Sequence, residues 1–398
     1  MKARAEAQRI GHPERVVPVA FLIGMAIGTL LLMLPVSRAG GMAGEGGASF
    51  VVALFTATSA ICVTGLTVVD TPGFWSPFGH VVILLLAQAG GLGIMTGATL
   101  LGLLVTRRMK LSGQLLASAE MRSLDLGDVR HVLRLVVITT FATEAVLALW
   151  LALRFWALGH GIADALWQGL FHAVMAFVNA GFSTLPEGLA SHPTDFLLLT
   201  PLMIGVILGG IGFPVLYELH REWRRPDGWS IHTKLTLWGS VALILVGFFA
   251  VLLFEFNNAA TIAAHGWGER LLGALFHSVM TRTAGFNSVD ITQLHEATWF
   301  GMDALMFIGG GPAGTAGGIK ITTFGVLLFI IIAELRGDGV VNVFGKRLSR
   351  AVHRQAITVA LLAVALVARK PEPGPADALA DLELVGHGAC LLGGGSAD

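Results

Sequence analysis

The chain has 398 residues, of which 54% are apolar and only 13% charged, and its mean hydropathy is +0.74. Soluble domains carry about 25% charged residues, so this composition excludes an ordinary soluble protein and, with its long apolar runs, predicts an all-α integral membrane protein. The formal net charge of zero gives no electrostatic case for a nucleic-acid partner, and two cysteines, Cys62 and Cys390, supply neither a disulfide framework nor a metal-ligand spacing.

Residues 1–15 are polar and basic and read as a cytoplasmic N-terminus. The apolar run behind them is a full span, so no cleaved signal peptide is expected. Repeat 1 covers 16–106. In it, Val16–Pro35 is about one bilayer of helix, Arg38–Ala48 is a Gly-rich link, and Ser49–Ile61 is too short to span. The Cys62–Asp70 loop follows, then an apolar segment from Trp75 to Thr106 that is expected to break at Gly90-Gly91-Leu92-Gly93. That Gly-rich run lacks a third glycine at Thr96 and is no dinucleotide fingerprint.

A basic cytoplasmic connector, 107–131, leads to repeat 2 at 132–217. Its parts are a span Val132–Trp156, a short helix Asp164–Val178, a loop Asn179–Pro186 and a span Phe196–Leu216. After the charged connector 218–234, repeat 3 occupies 235–335, with a span Leu235–Phe254, a short helix Glu269–Arg282 and a loop Thr283–Asp290. Its last apolar stretch, Trp299–Ile332, is interrupted at 309–320. A connector, 336–354, opens a fourth unit whose apolar start at 355–367 is followed by no loop and no span. Residues 368–398 are atypical and read as a disordered or frameshifted tail, which makes the fourth repeat truncated.

The loops share a pattern. Val63-Thr64-Gly65-Leu66-Thr67, Asn179-Ala180-Gly181-Phe182-Ser183 and Thr283-Ala284-Gly285-Phe286-Asn287 each follow a helix too short to cross a bilayer. Non-helical backbone at membrane depth is tolerated only where it is buried in protein or lines a watery cavity. A helix that stops halfway leaves free carbonyls with partial negative charge at its C-terminus. The glycine then permits backbone angles that let carbonyls converge, as in potassium filters. Three copies in register predict re-entrant pore loops around a pseudo-fourfold ion pore, with three complete helix–pore-loop–helix units and a fourth incomplete.

Positive charge sets the orientation, because Lys and Arg favour cytoplasmic loops. With the N-terminus and connectors inside, nineteen Lys and Arg lie inside, against Arg38, Arg154, Arg270 and Arg282 outside.

These motifs, together with the run Gly309 to Lys320 (GGGPAGTAGGIK), resemble those of the Trk/Ktr/HKT superfamily of potassium transporters, most closely its bacterial KtrB/TrkH-like membrane subunits. The resemblance covers about residues 16–365. It implies potassium uptake driven by the membrane potential, with the three loop pentapeptides as the cation-binding filter. It also implies a gate below them formed by Gly309, Gly310, Gly311, Pro312, Gly314, Thr315, Gly317, Gly318 and Lys320. A serine at the first filter glycine marks sodium-selective members of that family, and Gly65 stands there, which favours potassium. No cofactor is implied, only potassium as substrate, bound at the filter. The implied partners are a second copy in a homodimer, membrane lipid, and a cytosolic nucleotide-binding regulatory subunit of the KtrA/TrkA type. The location is the plasma membrane, multi-pass.

Other readings stay open. Lys320 either competes with a cation, pairs with an acidic residue, or reaches the interface; a phosphate loop fails because Ile319 precedes it. Glu144 packs inward or relays protons. Asp70 and Asp290 attract cations or cap the next helix, and His172 and His277 read as helix-packing residues. No nucleophile–histidine–acid set supports an enzyme. The alternatives for function are a nonfunctional transporter remnant, for want of a fourth wall, and a secondary transporter with broken helices. The latter would need inverted repeats, whereas these units run in one orientation.

Overall fold

The computed structural model describes residues 13–41, 46–108, 129–337, 342–343, 346–347 and 356–361. The readings made for residues 1–12, for 109–128 of the first connector and for the tail 368–398 with Cys390 lie outside them. So does most of 336–354, where the described part is a two-residue antiparallel ladder, β1 (Asn342–Val343) with β2 (Lys346–Arg347). Of the fourth unit, 356–361 is described, as helix.

Among the described residues the other named elements are all helices, and they follow one plan three times. Unit 1 has α1 (Pro13–Leu32), the short α2 (Phe50–Ile61) and α3 (Pro77–Arg108). Unit 2 has α4 (Val129–Ala157), the short α5 (Ile162–Phe177), and then α6 (Phe196–Ile211) with α7 (Phe213–Glu222). Unit 3 has α8 (Ile231–Phe254), the short α9 (Trp267–Met280), α10 (Glu296–Phe307) and α11 (Ile321–Arg336).

Local chemistry sets the boundaries. Ser49, Asp195 and Ser230 accept from the backbone N–H three residues on and start α2, α6 and α8. Helices α3, α4 and α8 are long and apolar enough to cross a membrane. Their apolar character does not stop at the core: Val146, Leu149 and Leu153 on α4 and Leu245, Phe249 and Leu253 on α8 all face outward. Helices apolar all round belong in lipid. The short helices are the opposite case, packed inside, with Phe171, Met175, Phe177 and Phe276 fully buried.

Two expectations about breaks are reversed. The glycines 90–93 do not interrupt α3, which runs unbroken through them. They serve close approach instead: a Cβ on Gly90 would lie 2.0 Å from Ile61 O, and one on Gly91 would lie 2.5 Å from the Val178 side chain. The expected continuous span Phe196–Leu216 is the one that breaks, with α6 and α7 meeting at 98°. There the glycines are joined by Pro214 in the first turn of α7, which starts a new helix rather than continuing the old one.

Glu255, the cap residue of α8, ties unit 3 together beyond the apolar region. It accepts from Asn258 Nδ2 (2.6 Å), Thr261 Oγ1 (2.8 Å), the His295 N–H (2.9 Å) and Thr298 Oγ1. Burial pushes its carboxyl up, but these four donors outweigh it and hold the group below the ordinary glutamate value. A depressed carboxylate stabilises the fold above its unfolded pKa, and that stability is lost as pH falls through the folded value. Glu255→Gln should therefore lower stability by about 1–3 kcal/mol at neutral pH. The difference from the wild type should shrink well below pH ~4, read by thermal unfolding in detergent at the two pH values.

Candidate functional site

Each short helix ends the same way, through a residue in the left-handed region. Val63 (φ 57°), Asn179 (φ 58°) and Thr283 (φ 59°) occupy equivalent places, and two residues later Gly65 (φ 78°), Gly181 (φ 65°) and Gly285 (φ 74°) are left-handed again. At α2, Val63 N donates to Ala60 O and Thr64 N to Ser59 O; at α5, Asn179 N donates to Ala176 O and Ala180 N to Met175 O. This is the Schellman closure. At α9 it is looser, with Ala284 N reaching only Met280 O at 3.1 Å. The predicted role of glycine in turning the chain is thus only half of the device. A non-glycine residue makes the first left-handed step, and for Val63, buried and β-branched, that conformation is strained.

The loops meet one another in sequence order. A Cβ on Gly65 would lie 2.2 Å from Ala180 O of the second loop, and one on Gly181 would lie 2.7 Å from Ala284 O and from Gly285 Cα of the third. The first two residues of each loop, from Val63 and Thr64 to Thr283 and Ala284, are buried, and Gly65, Gly181 and Gly285 are half-buried. Among the side chains after the glycines, Phe182 and Phe286 are buried, Leu66, Ser183 and Asn287 half-buried, and Thr67 exposed. The three pentapeptides read from the sequence are therefore brought together as a collar of closely packed backbone.

Residues 308–320 leave the helix between α10 and α11, as the Gly/Pro content predicted. The loop closes on itself where Gly309 N donates to Ile319 O and Ile321 N to Gly310 O. It also lies on the break in unit 2: Gly311 N donates to Gly210 O (2.7 Å) and Thr315 N to Gly209 O (3.1 Å). Two interrupted helices thus satisfy each other's backbone. The break at Gly212 was missed in the sequence, although Gly209-Gly210-Ile211-Gly212-Phe213-Pro214 carried the signal. The loop reaches the collar as well. Thr315 Oγ1 lies 3.1 Å from both Phe177 O and Asn179 Oδ1, and Gly317 N donates to Thr283 Oγ1 at 2.7 Å. Lys320 Nζ donates to Ala316 O of its own loop at 2.7 Å.

The remaining candidates fall into structural places. His172 Nδ1 sits 2.9 Å from Gln168 O and its Nε2 3.0 Å from Ser183 Oγ, so it clamps α5 to the segment behind Gly181, while its ring stacks on Phe286. His277 faces Ser288 at 3.4 Å. Asp70 accepts from Gly73 N and Asp290 from Thr292 N, which is capping. Glu144 is buried between α4 and α3 and accepts from Gln88 Nε2 at 3.0 Å. Arg282 departs from the charge tally: it is buried at the C-terminal end of α9, its Nη1 donating to Ile308 O at 3.3 Å. Among the described residues no group of His, Cys, Asp or Glu could hold a metal ion.

The sequence and the fold match known proteins. The model of the family described as TrkH, cation transport protein, matches residues 26–369. The chain belongs to the TrkH family. It is 37% identical over 358 residues to the Ktr system potassium uptake protein B of Bacillus subtilis, covering 89% of this chain and 78% of that one. It is 33% identical over 357 residues to the potassium/sodium uptake protein NtpJ of Enterococcus hirae, covering 89% and 77%. The crystal structure of the potassium transporter TrkH from Vibrio parahaemolyticus superposes with a TM-score of 0.67 over 97% of this chain and 83% of that one. At 16% identity that likeness speaks for the fold alone.

The collar geometry makes a separable stability prediction. Gly188 (φ 59°) has open space where a Cβ would go, whereas Gly181 (φ 65°) does not. Gly188→Ala should cost about 1 kcal/mol for the left-handed backbone alone. Gly181→Ala should cost about 2 kcal/mol more by displacing the third loop. Thermal unfolding of the two variants side by side checks this.

Proposed function

We propose that this protein takes up potassium across the plasma membrane through the collar, with residues 63–67, 179–183 and 283–287 as the walls of a selectivity filter. The observation that carries the reading is the repeated pair of left-handed residues, at 63 and 65, at 179 and 181, and at 283 and 285, in three loops that pack against one another. Such backbone leaves carbonyls free of the helix, and carbonyl rings replace the hydration shell of a desolvated cation. The relatives named as potassium uptake proteins support the choice of ion, and no catalytic chemistry is involved.

In this reading the loop 309–320 is the gate. Its place directly beneath the collar and its pairing with the break at Gly212 support that role. The domain plan keeps its boundaries: repeats at 16–106, 132–217 and 235–335, joined by cytoplasmic connectors, with a cytoplasmic N-terminus as the positive charge requires. Regulation by a cytosolic nucleotide-binding subunit and assembly as a homodimer belong to the same proposal and rest on the family resemblance.

The three described loops make contact in order, first to second and second to third, and a fourth element would close the ring. The alternative reading is a transporter remnant inactive on its own. Rubidium uptake in potassium-starved cells decides between them. Uptake by the chain as it stands supports the first reading. Uptake that appears only when a fourth unit from the Bacillus subtilis relative is grafted on supports the second.

Selectivity tests the filter itself. A side chain at Gly65 would run into Ala180 O, so Gly65→Ser should widen or tilt the second wall. The preference for rubidium over sodium should fall by about tenfold or more, the effect of ~1.4 kcal/mol. An unchanged ion preference would remove the filter assignment.

A further inference from the structure

We infer that Thr315 and Gly317 of the gate loop set ion preference, not only ion flow, by bracing the left-handed residues on which two filter walls are built. This rests on the filter reading above and goes beyond it, because it gives a gate residue a part in selectivity without making it an ion ligand.

The argument starts from strain. A left-handed conformation at Asn179 or Thr283 lies outside the favoured region and persists only where the surroundings hold it. Both residues are wholly buried, so water does not hold them. What holds them is polar and comes largely from the gate loop. The hydroxyl of Thr315, itself wholly buried, stands 3.1 Å from Asn179 Oδ1, and Gly317 N donates to Thr283 Oγ1 at 2.7 Å. Asn179 Nδ2 then donates to Arg282 O at 3.1 Å, which links the second wall to the residue just before the third wall's left-handed step. Three hydrogen bonds and the 282–283 peptide bond join residues 315, 179, 282, 283 and 317 into one connected run through buried groups.

The same hydroxyl stands 3.1 Å from Phe177 O, the last carbonyl of α5, so its one proton is shared between that carbonyl and Asn179 Oδ1. Loop 1 is built differently. Gate-loop hydrogen bonds reach Asn179 and Thr283, while Val63 carries no polar side chain to receive one. Any movement of the gate loop away from α6 must therefore break bonds that fix two filter walls and leave the first less affected. A buried acceptor left without its donor costs free energy, so gate position and filter shape are linked, and the linkage is reciprocal.

Thr315→Val keeps the shape and removes the hydroxyl; Thr315→Ser restores it. Purified full-length chain in detergent is unfolded thermally in graded KCl or NaCl at constant ionic strength, and apparent affinities are taken from ion-dependent stabilisation. This readout needs no transport. Thr315→Val should reduce the potassium-to-sodium affinity ratio about three- to tenfold, the range one buried hydrogen bond commands, and Thr315→Ser should keep it. A ratio unchanged in Thr315→Val overturns the proposal, as does an equal change in both affinities. Gly65→Ser in the same assay separates the two levels: if it shifts the ratio and Thr315→Val does not, only the brace fails. If the wild type itself does not distinguish the ions, the filter reading fails with it. Should Thr315→Val not be recovered folded, Thr315→Ala removes the same hydroxyl without touching a filter residue and is read against the same outcomes.

Discussion

In a bilayer a backbone N–H or C=O that leaves the helix has no water to turn to, and the whole architecture is an answer to that constraint. The chain leaves the helix at five places that are largely buried in protein: after α2, α5 and α9, at Gly212, and across 308–320. They are satisfied in two ways, locally and jointly. The ends of α2 and α5 fold their own N–H groups back onto the last turn. The break at Gly212 and the loop 308–320 are solved jointly, the carbonyls freed at the end of α6 accepting from Gly311 and Thr315. A pair of defects, each costly alone, becomes one bonded junction beneath the collar.

This dependence explains why glycine is so abundant here without being interchangeable. Gly90 and Gly91 stay inside a helix and admit neighbouring main chain and side chain. Gly65 and Gly181 adopt backbone angles that other residues avoid while also sitting against a carbonyl of the next loop. Gly212 does both at a helix break, where a Cβ would lie 2.3 Å from Pro312 O. The same residue type thus serves packing, turning and close approach, and only the three-dimensional neighbour says which.

That is also where reading the sequence succeeds and where it stops. The three-unit plan was legible because apolar length and interruption are one-dimensional properties: a helix of 12 to 16 residues cannot cross a bilayer wherever it sits. The pentapeptides were legible because the pattern repeats. The break in unit 2 was not, since Gly90-Gly91-Leu92-Gly93 and Gly209-Gly210-Ile211-Gly212 look alike until Pro214 is weighed. The left-handed Val63 was invisible for a different reason, because no local preference of valine leads there; the fold imposes it. The burial of Arg282 was not legible because a charge tally assigns residues to sides of a membrane and says nothing of what packs around them.

The contacts between loops run in one rotational sense. Gly65 abuts the second loop and Gly181 abuts the third, each by its missing side chain. The collar is therefore handed, like overlapping tiles laid in one direction. A side chain added at Gly65 would press on the second loop and one added at Gly181 on the third, so loops similar in sequence are unequal in what such a change disturbs.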